Sequence, residues 1–125
     1  MRHALPAALA AALLIAAASP SRAAGDAEKG KAQFAICRIC HSLDAGKNVI
    51  GPSLHGLFGR TSGTVPGFSY SEAMKAKAVV WNEDTLNKYL ADPKAYVPGN
   101  KMAFAGVKSD SARADLIAYL KQATQ

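Results

Sequence analysis

Cys37 and Cys40, the only two cysteines of the chain, stand three apart, and His41 follows directly in the run Cys37-Arg38-Ile39-Cys40-His41. On helical or turn backbone, residues three apart share a face. Both thiols can therefore grip one edge of a flat macrocycle while the adjacent imidazole is aimed at its metal. C-x-x-C-H is the attachment pattern of a covalent c-type haem. A redox dithiol needs a neighbouring βαβ pattern, which is absent. A four-ligand zinc site needs more cysteines or well-spaced histidines, and only His55 remains beyond the motif and the N-terminal His3.

With one axial position assigned to His41, the opposite position decides the chemistry. An open site allows gas binding or peroxide chemistry, and a closed one leaves electron transfer. His55, Met74 and Met102 are the neutral candidates. Met74 lies in a short helical stretch, where methionine is ordinary core filler. Met102 lies on a loop defined by Pro98-Gly99 and beside Lys101, a poor place for an apolar side chain unless something holds it. A His/Met pair is the ligation of electron-transfer c cytochromes, so spacing favours Met102.

The motif must be placed in a chain of 125 residues. Arg2 and His3 begin it, Leu5 to Ala18 is an Ala/Leu-rich apolar run too short for a comfortable bilayer span, and Ser19 to Ala23 ends in small residues. This predicts a secretory signal peptide over residues 1–23, cleaved after Ala23 or one residue later. The remaining 24–125 segment carries 13 basic and 9 acidic residues, a net charge of +4. It is enough for one small domain, with no other stretch of transmembrane length. The lysines are spread along an exported chain, which argues against nucleic acid and for an acidic protein partner.

The elements that must position the motif read as helices. Asp26 caps a helix reaching about Ile39, in which Gly30 and Phe34 share a face. Glycine inside a helix costs about 1 kcal/mol against alanine, so close crossing by another helix is expected at Gly30. Leu43 to Pro66 is irregular, punctuated by glycines and prolines. Ser69-x-x-Glu72 reads as a capping box for a short helix through Lys77. Asn82 caps a helix from Glu83 to about Ala91, ended by Pro93. Ser109 to Lys121 forms the last helix, with Ala112, Leu116, Tyr119 and Leu120 as the face that meets Gly30 and Phe34. The expected fold is all-α and single-domain. Its long loops are too extensive to pack on one another and require a large flat cofactor to pack on.

Over nearly all of residues 24–125 the sequence resembles the class I cytochromes c of the mitochondrial and soluble bacterial type. The matching stretches, in order, are Gly25 to Gly30, Cys37 to His41, Gly51 to Arg60, Pro66 to Tyr70, Trp81, Tyr89-Leu90, Asp92-Pro93-Lys94, the Met102 loop, and Asp115 to Lys121. The resemblance implies a cytochrome c fold, with N- and C-terminal helices crossing and long loops wrapped around one covalently bound haem c. It implies thioether bonds from Cys37 and Cys40, axial ligation by His41 and Met102, and a Pro52 carbonyl that orients His41. Arg60, Tyr70 and Trp81 are then the donors for a buried propionate, and Tyr89 places its hydroxyl near the Met102 sulfur. His55 has no catalytic use in this family and reads as structural.

The resemblance further implies a monomeric electron carrier that is not an enzyme, and the expected signal peptide places it in a bacterial periplasm. Its partners would be acidic docking surfaces on a quinol-oxidising cytochrome bc-type complex, a terminal oxidase, a reaction centre or a periplasmic dehydrogenase, with neither nucleic acid nor stable membrane insertion. Lys31, Arg38, Lys94, Lys101 and Lys108 would ring the exposed haem edge. Two positions depart from the family pattern. Met74 stands where asparagine is frequent, making the surroundings drier. Asn100 stands where threonine is common, so the threonine's hydrogen bond to a propionate is lost unless the amide donates it. The segment from His41 to Pro52 is one residue shorter than in the mitochondrial proteins.

Overall fold

The computed structural model describes Ala4, Leu13, Ile15 and residues 25–125. Apart from those three positions, the expected leader over residues 1–23 and its cleavage point lie outside the described residues. Among the described residues five α-helices follow one another: α1 (Ala27–Gln33), α2 (Glu72–Lys77), α3 (Glu83–Ala91), α4 (Pro93–Tyr96) and α5 (Asp110–Ala123). Among the described residues the only extended pairing is an isolated antiparallel bridge between Thr61 and Val80.

Asp26 caps α1 as its sequence indicates, accepting from the Glu28 and Lys29 amides. The α-helical geometry stops at Gln33, however, and the chain continues as a 3₁₀ helix over Phe34–Ile39. Cysteines and β-branched isoleucines are weak helix formers, and the tighter winding suits a segment that must turn into the C-x-x-C-H run. The Cys37 carbonyl accepts from both Cys40 N at 3.1 Å and His41 N at 2.9 Å, closing that turn.

The crossing of α1 with α5 carries the fold. A Cβ on Gly30 would overlap the Asp115 carbonyl and meet Tyr119, so only glycine allows the two backbones to approach this closely. One turn further on, Phe34 is wholly buried with its ring centroid 5.3 Å from that of Tyr119. The Asp26 backbone N–H donates to the Asp115 carboxylate at 2.7 Å and pins the start of α1 to α5. On its other side α5 packs against α3 through the core that includes Leu86, Leu90, Leu116 and Leu120.

Three details differ from expectation. The cap of α2 is Ser71, whose hydroxyl accepts from Met74 N at 3.0 Å, and the expected Ser69 capping box does not form. Of two serines ahead of Glu72, the one in extended backbone immediately before the helix takes the role. Pro93 does end α3, but it also opens α4, with Asp92 accepting from the Ala95 amide and proline at the first helical position. Finally, α5 is longer than expected, with Ser109 as its cap and Ala123 as its last residue.

Candidate cofactor site

A cavity of about 430 Å³ lies between the α1–α5 crossing, α3 and the long loops. Its walls are mostly apolar, formed by Phe34, Leu54, Leu57, Leu90, Leu116 and Leu120 among others. The turn after the 3₁₀ helix delivers Cys37, Cys40 and His41 to one wall. Both cysteines are free thiols. Burial raises the Cys37 pKa, opposed by its backbone hydrogen bond and reinforced by Cys40, so that thiol is protonated at neutral pH.

His41 is fixed by its other ring nitrogen. Nδ1 lies 2.7 Å from the Pro52 carbonyl, which can only accept, so the proton sits on Nδ1 and Nε2 keeps its lone pair. Burial lowers the imidazole pKa, the Pro52 bond opposes, and nearby Arg60 lowers it further, which keeps the ring neutral and ligand-ready. Gly51 makes room for this arrangement, since a Cβ there would come within 2.5 Å of the imidazole Cε1. Pro52 is itself held by residues that sequence reasoning missed. Ser53 N donates to Asn48 Oδ1 at 3.0 Å and Ser53 Oγ to the Asp44 carbonyl at 2.6 Å, while Asn48 Nδ2 reaches Pro66 O at 3.0 Å.

Arg60, Tyr70 and Trp81 all line the cavity. Arg60 donates to the Ser53 and His55 carbonyls at 3.1 and 3.0 Å. The Tyr70 hydroxyl accepts from Val65 N at 3.1 Å, which leaves its proton free to donate. Burial raises the Tyr70 pKa against the lowering by Val65 and Arg60, so that proton is retained at neutral pH. Trp81 is buried, and its ring lies 5.0 Å from Tyr89. These three donors lie in a cavity that holds no carboxylate side chain, so they suit an anionic group brought in by a cofactor.

Of the three candidates for the far side of a metal, Met74 and Met102 line the cavity, and His55 is exposed and does not. The two methionines are told apart by Tyr89, whose hydroxyl donates to the Met102 sulfur at 3.8 Å. Burial drives the Tyr89 pKa well above its ordinary value, so the donor persists at any working pH. The Asn100 amide is engaged within the protein, where Nδ2 donates to Pro93 O and Val97 O, both at 2.9 Å. Both amide protons thereby hold the Met102 loop itself.

Lys101 lines the cavity, and Lys31 and Lys94 are exposed. Lys108 is shared with Asp92 at 3.8 Å and the Ala91 carbonyl at 2.9 Å, and the Arg38 guanidinium lies 5.4 Å above the Phe34 ring. Among the described residues no helix is long and apolar enough to cross a membrane.

Comparison with known proteins bears on the chain as a whole. The sequence model of the family described as cytochrome c matches residues 27–124. The chain is 56% identical over 98 residues to a cytochrome c of Euglena viridis, covering 78% of this chain and 96% of that one. It is 50% identical over 110 residues to a cytochrome c2 of Blastochloris viridis, covering 87% of each. Among solved structures it is similar to cytochrome cH from Methylobacterium extorquens, with a TM-score of 0.73 and 41% identity over 78% of this chain and 99% of that one.

Proposed function

The chain belongs to the cytochrome c family, whose haem-based work is electron transfer, and we propose that it is a periplasmic one-electron shuttle whose iron is held by His41 and Met102. The residues present fit the single covalent haem c of the family. Two thiols share a wall with a neutral imidazole, the remaining walls are apolar, and donors without a carboxylate partner wait at Arg60, Tyr70 and Trp81. Cys37 and Cys40 would carry the thioethers, and His41 and Met102 the axial bonds. When bound, the haem supplies an iron that gains and loses one electron without breaking a bond.

The protein's own part is to keep that change small and local. Pro52 O orients the His41 ring, and Tyr89 holds the Met102 thioether, so neither ligand has to move between oxidation states. Arg60, with the Tyr70 hydroxyl and the Trp81 indole, offsets the charge of a propionate that could not stay ionised alone in such surroundings. The apolar walls exclude water, which penalises the extra charge of the oxidised state, and thioether ligation acts in the same direction by raising the potential. His41 and Met102 together would leave the metal no position for a substrate, so the reading is of a carrier and not of an enzyme.

The export reading rests on the pattern of residues 1–23, and the docking reading on Lys101 at the cavity together with the exposed Lys31 and Lys94. A cationic rim steers diffusion onto acidic surfaces of a quinol-oxidising complex, terminal oxidase, reaction centre or dehydrogenase. The observation that carries the proposal is the pairing in one cavity of His41, its Nδ1 occupied, with Met102, its sulfur held by Tyr89. Absorption spectra of the purified protein, oxidised and reduced, with and without carbon monoxide, test it. Covalently retained haem that ignores carbon monoxide at neutral pH is expected. Ready carbon monoxide binding would overturn His/Met ligation, and N-terminal sequencing of the exported protein reads the cleavage at Ala23.

A further inference from the structure

Asn100 uses every hydrogen-bonding group of its side chain on the loop that carries Met102. Its two amide protons go to Pro93 O and Val97 O at 2.9 Å, and its Oδ1 accepts from the Met102 backbone N–H at 2.9 Å. No flipped amide would satisfy two carbonyls and one N–H, so the orientation is unambiguous. Its own backbone N–H also donates to Val97 O at 3.0 Å. The α4 end and the Met102 backbone are thereby joined through one planar amide. A threonine offers a single hydroxyl proton and cannot serve both carbonyls.

Past Met102 the loop's anchors to other elements lie further along the chain. Phe104 N donates back to Met102 O at 3.0 Å, and the next outside anchor is Val107 N on Leu90 O at 2.7 Å. Lys101 reaches the Ser69 carbonyl only at 3.4 Å from an exposed side chain. Of the loop's own side chains, the one closest to Met102 in sequence that makes short hydrogen bonds to another element is therefore Asn100.

We propose that Asn100 is a positioning residue for the axial thioether, an amide bracket that keeps Met102 turned into the cavity and sets how rarely the ligand leaves. The proposal rests on the His/Met reading above. An exogenous ligand reaches the iron only in the fraction of molecules whose methionine is off, so its apparent affinity measures that fraction. A general loss of stability that leaves the Met102 loop equilibrium untouched would not alter this affinity in fully folded protein.

The test is titration of the oxidised, haem-loaded protein with imidazole at neutral pH, comparing wild type, Asn100→Ala, Asn100→Thr and Met102→Ala. Asn100→Ala is expected to bind imidazole about tenfold more tightly, the equivalent of ~1.4 kcal/mol. Asn100→Thr, which keeps one hydroxyl, should fall between it and wild type. Unchanged affinity in Asn100→Ala would overturn the proposal, provided Met102→Ala binds imidazole more tightly than wild type. If Met102→Ala also matches wild type, the ligand assignment itself fails and the bracket with it. Should Asn100→Ala not accumulate as folded protein, Asn100→Thr decides alone: tighter binding supports the bracket, and wild-type affinity overturns it.

Discussion

The Tyr89 hydroxyl donates to the Met102 thioether across 3.8 Å, from a phenol that burial keeps protonated. The ring cannot swing away, because it lies between Trp81 at 5.0 Å and Tyr96 at 6.3 Å, centroid to centroid. A donor on the sulfur withdraws electron density from it and so favours the reduced iron. Tyr89→Phe should therefore lower the midpoint potential, by less than the ~59 mV that corresponds to tenfold in a one-electron couple. Redox titration measures it, and an unchanged or raised potential would show that the contact does not act on the ligand.

The same phenol gives a pH prediction. Its folded pKa lies above its unfolded value of ~10, so the neutral form is favoured in the native state. That stability is fully present below pH ~10 and is lost as pH rises beyond it, because the unfolded chain gives up the proton first. Denaturant unfolding at neutral pH and near pH 11 should show a smaller alkaline loss for Tyr89→Phe than for wild type. Equal losses would place the alkaline transition in another group.

Met102 and Met74 share the cavity but not its chemistry. Met102→Ala removes the proposed thioether ligand, so the potential should drop substantially and the reduced protein should bind carbon monoxide. Met74→Ala should leave ligation and spectrum intact and cost about 2 kcal/mol of stability, at the low end for a methionine that is half-buried. The reverse pair of results would assign the ligand to Met74.

Much of this site was legible in the sequence because local spacing encodes it. Cys37, Cys40 and His41 are fixed by a turn of the chain, and Asp26, Asn82 and Ser109 announce the helices they cap. What stayed hidden depends on loop conformation. Asn48, Ser53 and Asn100 act through side-chain bonds to backbone groups elsewhere in the chain, and no periodicity marks them. The pattern favours Ser69, with Glu72 three residues on, and only backbone geometry gives the cap to Ser71. Arg113 is the plainest case. A charged residue on α5 reads as solvated, yet it is 6% exposed, with its guanidinium spent on Asn87, Val107 O and Asp110.

That guanidinium ties α5 to α3 and to the far end of the Met102 loop through 2.7 Å and 2.8 Å bonds to Asn87 Oδ1 and Val107 O. Asp110 is almost fully exposed and is readily resolvated once its partner is gone. Arg113→Met keeps the apolar stem but strands the Val107 carbonyl, so a loss of about 2 kcal/mol is expected from denaturant unfolding. A neutral result would mean that water replaces the guanidinium without cost.

At Gly30 the usual helix rule should invert. Glycine to alanine in a helix interior ordinarily stabilises by about 1 kcal/mol. Here the new methyl would run into the Asp115 carbonyl and the Tyr119 side chain, neither of which can yield without separating α1 from α5. Since Phe34 and the cysteine-bearing turn hang from the same crossing, the separation would reach the cavity wall. Gly30→Ala is expected to destabilise by about 1–3 kcal/mol, the cost of overpacking. Gly46, with nothing within 4 Å of an added Cβ, is the control for space alone, although its φ of +72° carries its own strain for any side chain. Comparison of the two alanine variants by denaturant unfolding separates crowding from backbone strain. A Gly30→Ala protein as stable as wild type would mean that the helices part at no cost, and that the crossing is not what holds the cysteine wall in place.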